Sequence, residues 1–181
     1  MRISFGQHSL RVKDWSSEVQ MFEFLRSSGA EYILLGEDAR QYDGFFSTEV
    51  LLGFAGKDSL RVGLISEGHG LLPHLLLIPE RDQLLFGFNE QVACVNVNER
   101  SVVFRIRLES LFRSFLRLKA HALILAFHEI GVTALDENGN VEWSYAKDIV
   151  EDCVLSQFHL DLKFLDEPTV RIDLVTGQHI A

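Results

Sequence analysis

Cysteine, proline and methionine are scarce in this chain, with 2, 3 and 2 among 181 residues. Cys94 and Cys153 lie at non-equivalent positions of different repeats and could pair, but two apolar-flanked cysteines in a cytosolic chain are expected instead as small buried hydrophobes. Basic residues are also short: 17 against 26 acidic ones give a net charge of −9. That balance argues against nucleic acid and anionic membranes as partners, since both call for a basic surface. No apolar run approaches the roughly 18 residues of a membrane-spanning helix. Met1-Arg2-Ile3-Ser4-Phe5-Gly6 lacks the apolar stretch of a secretory signal. The expected location is therefore cytoplasmic.

Catalytic and cofactor motifs are missing as well. There is no Gly-x-Ser-x-Gly element for a nucleophile elbow. Gly53-Phe54-Ala55-Gly56-Lys57-Asp58-Ser59 resembles a phosphate-binding loop only superficially, because Leu51 replaces its first glycine and Asp58 the hydroxyl that would hold magnesium. Asp136, Asn138 and Asn140 alternate like the start of a calcium loop, but the glycine comes too early and Lys147 stands where the bidentate glutamate belongs. Asn138-Gly139 reads instead as a type I′ hairpin turn. Of the seven histidines, His69 and His74 follow Glu67-Gly68 at a spacing that suits two ligands on neither a helix nor a strand, and no third ligand accompanies them. His128-Glu129 is adjacent on one strand, where side chains point to opposite faces. No catalytic, cofactor-binding or metal-binding residue is assigned, and no cofactor is expected.

What the chain does have is repetition. Leu84-Leu85-Phe86-Gly87-Phe88 falls on Leu123-Ile124-Leu125-Ala126-Phe127, Val92-Ala93-Cys94-Val95 on Val132-Thr133-Ala134-Leu135, and Val102-Val103-Phe104 on Val141-Glu142-Trp143. Three strands thus recur in order, the mark of a stacked supersecondary unit. Ile172-Asp173-Leu174 with Thr176-Gly177 reads as a third copy that stops before its last strand, and Val50 to Phe54 with Leu60 to Ile65 as a weaker upstream one.

Ala134-Leu135-Asp136, Gly139 and Trp143, echoed by Ile172-Asp173-Leu174 and Thr176-Gly177, resemble the blades of quinoprotein-type β-propellers, whose repeats read Ala-Leu-Asp, a Gly turn, then Trp. The resemblance covers residues 84–178, about half the chain. Within it Asn96, Arg100 and Phe104 depart from the pattern, and nothing corresponds to a set of quinone-binding residues. It implies a blade-like β architecture and carries no activity with it. Closed propellers take about four to eight blades, more than residues 45–181 supply, so a closed ring is not expected. The fold class read from the chain is mainly β, with antiparallel blade-like or sandwich sheets and a short N-terminal helix.

With 47% hydrophobic residues the chain can bury a sizeable core. One domain over residues 1–181 is expected, with residues 1–44 as an N-terminal elaboration and 45–181 as the repeats. Ile3 and Phe5 with Leu10 and Val12 predict a hairpin around Gly6. Ser17 caps a helix in which Gln20 reaches back to the Ser17 amide and Val19, Phe22 and Leu25 share the core face, with Gly29 as its stop. Tyr32 to Leu35 predicts a buried strand, and Gly36 to Gly44 a boundary loop. Leu108, Leu111, Phe112, Phe115 and Leu116 have the spacing of a short amphipathic helix.

Arginines gather around that segment. Arg105, Arg107, Arg113 and Arg117 stand out in an acidic protein as a candidate interaction patch, against the plainer reading of a solvated face neutralised by nearby acids. The function expected is non-catalytic: a binding or protein-interaction protein of unknown partner, of which neutralising a basic partner, as immunity proteins do, is one form. An enzyme with a site assembled from dispersed His, Asp and Glu residues and a structural, oligomer-forming module are the alternatives. A protein partner is expected, and no nucleic acid or membrane. The edge left by the truncated third copy would be covered either by the N-terminal strand or by a homodimer.

Overall fold

The computed structural model describes residues 2–36, 43–53, 58–67 and 69–180. Strands dominate, as the alternation and the turn signals require. Arg2–Phe5 (β1) and His8–Trp15 (β2) form the expected hairpin. Glu18–Arg26 is the helix, α1. Its cap is the predicted one, the Gln20 backbone N–H donating to Ser17 Oγ, but the Gln20 side chain accepts from Ser16 Oγ at 2.8 Å and does not return to Ser17. The core face also differs from expectation. Met21 and Leu25 are buried, and with Phe22 and Phe24 they pack against Trp15, Leu34, Phe45 and Ile65. Val19 lies about 200° around the helix from Met21 and is 66% exposed. The helix C-terminus is fastened by Arg61, itself buried, which donates to the carbonyls of Phe24 (2.5 Å) and Ser27 (2.6 Å) and pairs with Glu49. Carbonyls that a helix end would otherwise leave unsatisfied are thereby used.

Glu31–Leu35 (β3), Gly44–Leu52 (β4) and Asp58–Ser66 (β5) complete a five-stranded sheet of order β1-β2-β4-β5-β3. The pairing is antiparallel except for β3 with β5, which is parallel. The weak upstream copy is therefore not a separate blade: β4 and β5 sit between the N-terminal strands. Most of the loop expected over 36–44, the turn of the phosphate-loop-like segment and Gly68 lie outside the described residues.

Three four-stranded sheets follow, each in chain order. The first holds His74–Ile78 (β6), Gln83–Phe88 (β7), Gln91–Asn96 (β8) and Ser101–Arg107 (β9). The second holds Phe112–Leu118 (β10), Leu123–His128 (β11), Gly131–Asp136 (β12) and Val141–Ala146 (β13). Val150–Leu155 (β14), His159–Phe164 (β15), Val170–Asp173 (β16) and His179–Ile180 (β17) make the third. The repeat read from the sequence pairs β7 with β11, β8 with β12 and β9 with β13. Its turns repeat too: short 3-10 segments over Pro79–Arg81 and Lys119–His121 lead into Asp82 and Ala122, with φ of 51° and 52°.

Two expectations are corrected. The third copy does not stop early, because His179–Ile180 pairs with β16 as a short fourth strand. The helix read over 108–116 is a bend followed by β10. There the register slips between Phe112 and Ser114, so Arg113 is an extra residue, a β-bulge. One inserted residue offsets the alternation of the apolar positions, which is how a bulged strand came to carry a helix-like spacing.

By packing, the chain divides into two compact units, residues 1–86 with 93–104 and residues 87–92 with 105–181. In the second unit, Leu125, Phe127, Val132 and Trp143 share one core with Leu160, Leu162, Phe164, Val170 and Ile172. Every residue of β7 and β11 is buried, so those strands are covered on both faces. β15 alternates instead: Leu160, Leu162 and Phe164 point inward, while Asp161 and Lys163 form ion pairs with Arg171 (2.8 Å) and Glu151 (2.7 Å). Among the described residues no helix is long and apolar enough to cross a membrane.

Candidate functional site

The four arginines of the predicted patch sit in different local surroundings. Arg105 and Arg107 are on the exposed side of β9, and Arg107 pairs with Glu90 at 2.9 Å. Arg117 is largely buried and donates to Glu137. Arg113, at the β10 bulge, donates through Nη1 to the Val150 carbonyl at 2.6 Å. Arg61, Arg100, Arg107, Arg117 and Arg171 all have carboxylate partners. Arg113 has none among the described residues.

Arg113 opens into a cleft of about 300 Å³ in the second unit, lined also by Ser114, Phe127, His128, Val150, Glu151, Asp152 and Cys153. Two register slips shape it, one at Arg113 and one between Val150 and Asp152 on β14. Strand pairing sets the facing of its far wall. Cys153 is opposite Leu162, a core residue, whereas Asp152 is opposite Lys163 on the charged face. Cys153 was expected to be buried and is exposed, because β14 is an edge strand; Cys94 is buried as expected, and both thiols are free. Burial, and then the Asp152 carboxylate, push the Cys153 thiol up, with Arg113 opposing. A thiol held protonated is a weak hydrogen-bond donor and a poor nucleophile.

His128 is fully buried. Its Nδ1 lies 2.9 Å from Ser110 Oγ, which also accepts from the Ile130 N–H, and its Nε2 has no partner. Burial pushes its pKa down, against a smaller opposing pull from Glu109. The imidazole is thus held neutral.

Other sequence candidates resolve as structure. The His69 ring accepts from the Leu71 N–H at 3.3 Å. Among the described residues, no three His, Cys, Asp or Glu side chains come together as a metal ligand set. Asp136 accepts from both the backbone and the side-chain amides of Asn138 and Asn140. Burial works to raise this carboxyl, but those bonds outweigh it and hold it below the usual range. In that turn only Gly139 takes a positive φ, 90°, and its N–H bonds back to the Asp136 carbonyl. It is a longer turn ending in a left-handed glycine, not the type I′ turn expected.

The cleft itself went unread in the sequence. Phe127, Ser114 and Cys153 belong to three different strands of two sheets, and the bulges that bring them together leave no local motif.

No protein-family model matches the chain, and no curated protein matches it. Solved structures do. Sqt1 of Saccharomyces cerevisiae matches with a TM-score of 0.52 at 14% identity, over 77% of this chain and 43% of that one. The Cps50 (Swd1) β-propeller domain of Myceliophteria thermophila matches with a TM-score of 0.51 at 7% identity, over 78% and 55%. NirN, a dihydro-heme d1 dehydrogenase in complex with DHE, matches with a TM-score of 0.51 at 13% identity, over 77% and 34%. Across these three the match takes in between about a third and just over half of the other chain. The likeness shows a β-propeller-like fold built of blade-like sheets.

Proposed function

We propose that the protein is a non-catalytic protein-binding module, and that the end of its last sheet meets the partner. One observation carries this reading. Phe158 is 64% exposed and Val175 60%, and the two sit in adjacent loops joined by the bond from the Leu174 N–H to the Phe158 carbonyl. Val154 and Leu155, on opposite faces of the edge strand β14, are exposed as well. Exposed apolar groups gathered in one place mark interaction sites more than scattered ones do. Asp152 stands beside the patch on β14, and the net charge of −9 favours a basic partner.

The blades are, on this reading, of the quinoprotein type, supported by Trp143 and Gly177 meeting across two sheets. A cytoplasmic site of action is part of the same proposal. The fold does not decide activity, since one similar structure is a dehydrogenase.

Copurification from native lysate is the test. The wild-type chain should bring down a stoichiometric basic protein, and Phe158→Ser with Val175→Ser should lose it while keeping the circular dichroism of the wild type. A second copy covering the same patch would show in light scattering as twice 20.6 kDa. A chain that stays monomeric, captures nothing and turns over a substrate panel would defeat the reading in favour of an enzyme.

A further inference from the structure

The geometry points to the cleft between β10 and β14 as a binding site for a monoanionic carboxylate carried on an apolar body. The cleft gathers hydrogen-bond donors that the protein does not use. Arg113 spends one N–H on the Val150 carbonyl and has no carboxylate partner among the described residues, although acids outnumber bases in this chain. A guanidinium offers five donors in a planar fork matched to a carboxylate. Ser114 and Cys153 line the same space, and Ser114 sits opposite Phe127 on the same face of its sheet. His128 borders the cleft too, but its ring meets Ser110 Oγ through Nδ1 and its Nε2 is buried, so it is not counted among the donors.

The charge and the walls narrow the class. Glu151 is tied to Lys163, and Asp152 accepts from the Cys153 N–H; neither forms an ion pair with Arg113. Both still repel a dianion, which disfavours a phosphate and leaves a single carboxylate as the match for one guanidinium. Phe127 and Val150 give the cleft its apolar walls. Such a group comes from a peptide C-terminus or from the side chain of an acidic residue beside an apolar one.

Titration of the full-length ¹⁵N-labelled protein separates the possibilities. N-acetyl-phenylalanine should shift the amide signals of Arg113, Ser114 and Cys153 saturably, and N-acetyl-phenylalaninamide should bind at least about tenfold more weakly, since it lacks the charge-assisted bonds. N-acetyl-glutamic acid α-amide tests the side-chain source. Tighter binding by either acid supports the site and identifies its source. Arg113→Gln should remove the preference of acid over amide, and Arg113→Lys should keep part of it. Equal binding of acid and amide, shifts confined to other residues, or an undiminished preference in folded Arg113→Gln would overturn the proposal. None of these outcomes depends on the partner surface around Phe158.

Discussion

The indole of Trp143 on β13 lies against Gly177 in the β16–β17 loop, and its Nε1–H donates to the Leu174 carbonyl of the same loop at 3.1 Å. One sheet is thereby locked to the next by a ring, a main-chain bond and a residue without a side chain. A Cβ at Gly177 would fall 2.5 Å from Trp143 Cγ, and Gly177 has φ +69°.

Gly177→Ala should therefore destabilise the protein by about 2–4 kcal/mol, combining a left-handed alanine with an overpacked indole. Trp143→Phe strands the Leu174 carbonyl and removes part of the ring packed in this core, costing about 1–3 kcal/mol. Urea unfolding with an unchanged m-value reads both. A Gly177→Ala midpoint equal to wild type would show that the contact is not structural.

Arg100 occupies the position in its turn that Gly177 holds in the last sheet, four residues after Asn96 as Gly177 is after Asp173, and its φ is 53°. It pays about 1–2 kcal/mol for that conformation. What it gains is pairing with Asp58 and Glu31, whose side chains are 60% and 64% exposed, and exposed pairs return about 0–1 kcal/mol. The backbone cost wins. Arg100→Gly should be neutral or stabilising by up to about 1 kcal/mol, whereas Arg100→Ala, which keeps the strain and loses the pairs, should destabilise. Thermal melts of the two variants should move in opposite directions or differ by several degrees, with alanine the lower.

The repeat was legible because β7, β8, β11 and β12 are apolar runs covered on both faces, and the same runs recur at nearly fixed spacing. The helix cap at Ser17 was legible for a local reason, a side chain three residues from the amide it serves. Where pairing is non-local, reading failed. The parallel partnership of β3 with β5 depends on a partner far along the chain, while β17, which closes a short hairpin on β16 through Gly177, has only two residues and so no alternation to read. The bulge at Arg113 did double damage: it disguised β10 as a helix and hid the cleft that its own guanidinium opens into.

His128 makes stability depend on pH in a stated direction. Burial lowers its folded pKa from 6.5, so on acidification the unfolded chain takes up this proton before the folded one does. The stabilisation is complete above about pH 6.5 and is lost as the pH falls from there through the folded value, by at most about 1.4 kcal/mol per pH unit. Chemical denaturation at a series of pH values between neutrality and mild acid should show wild-type stability falling more steeply than that of His128→Gln. Parallel profiles would remove His128 as the cause.

The two cysteines should behave as different chemical species. Cys94 is fully buried and its thiol is pushed up to about 12, chiefly by desolvation, so in the native state it offers neither access nor thiolate. Cys153 is exposed on an edge strand, but burial of its sulfur and the Asp152 charge raise its pKa as well. With an aromatic disulfide reagent at mildly alkaline pH, one thiol equivalent should react in the folded protein, more slowly than a free thiol because the thiolate fraction is depressed. The second should appear only on unfolding. Cys153→Ser should abolish the first phase and leave the second, and Asp152→Asn should accelerate the first by withdrawing the charge that opposes ionisation. Two native-state equivalents would show that the β7–β8 core opens on the timescale of the reaction. None would show that the edge at Cys153 is covered, by a second copy or by a bound partner.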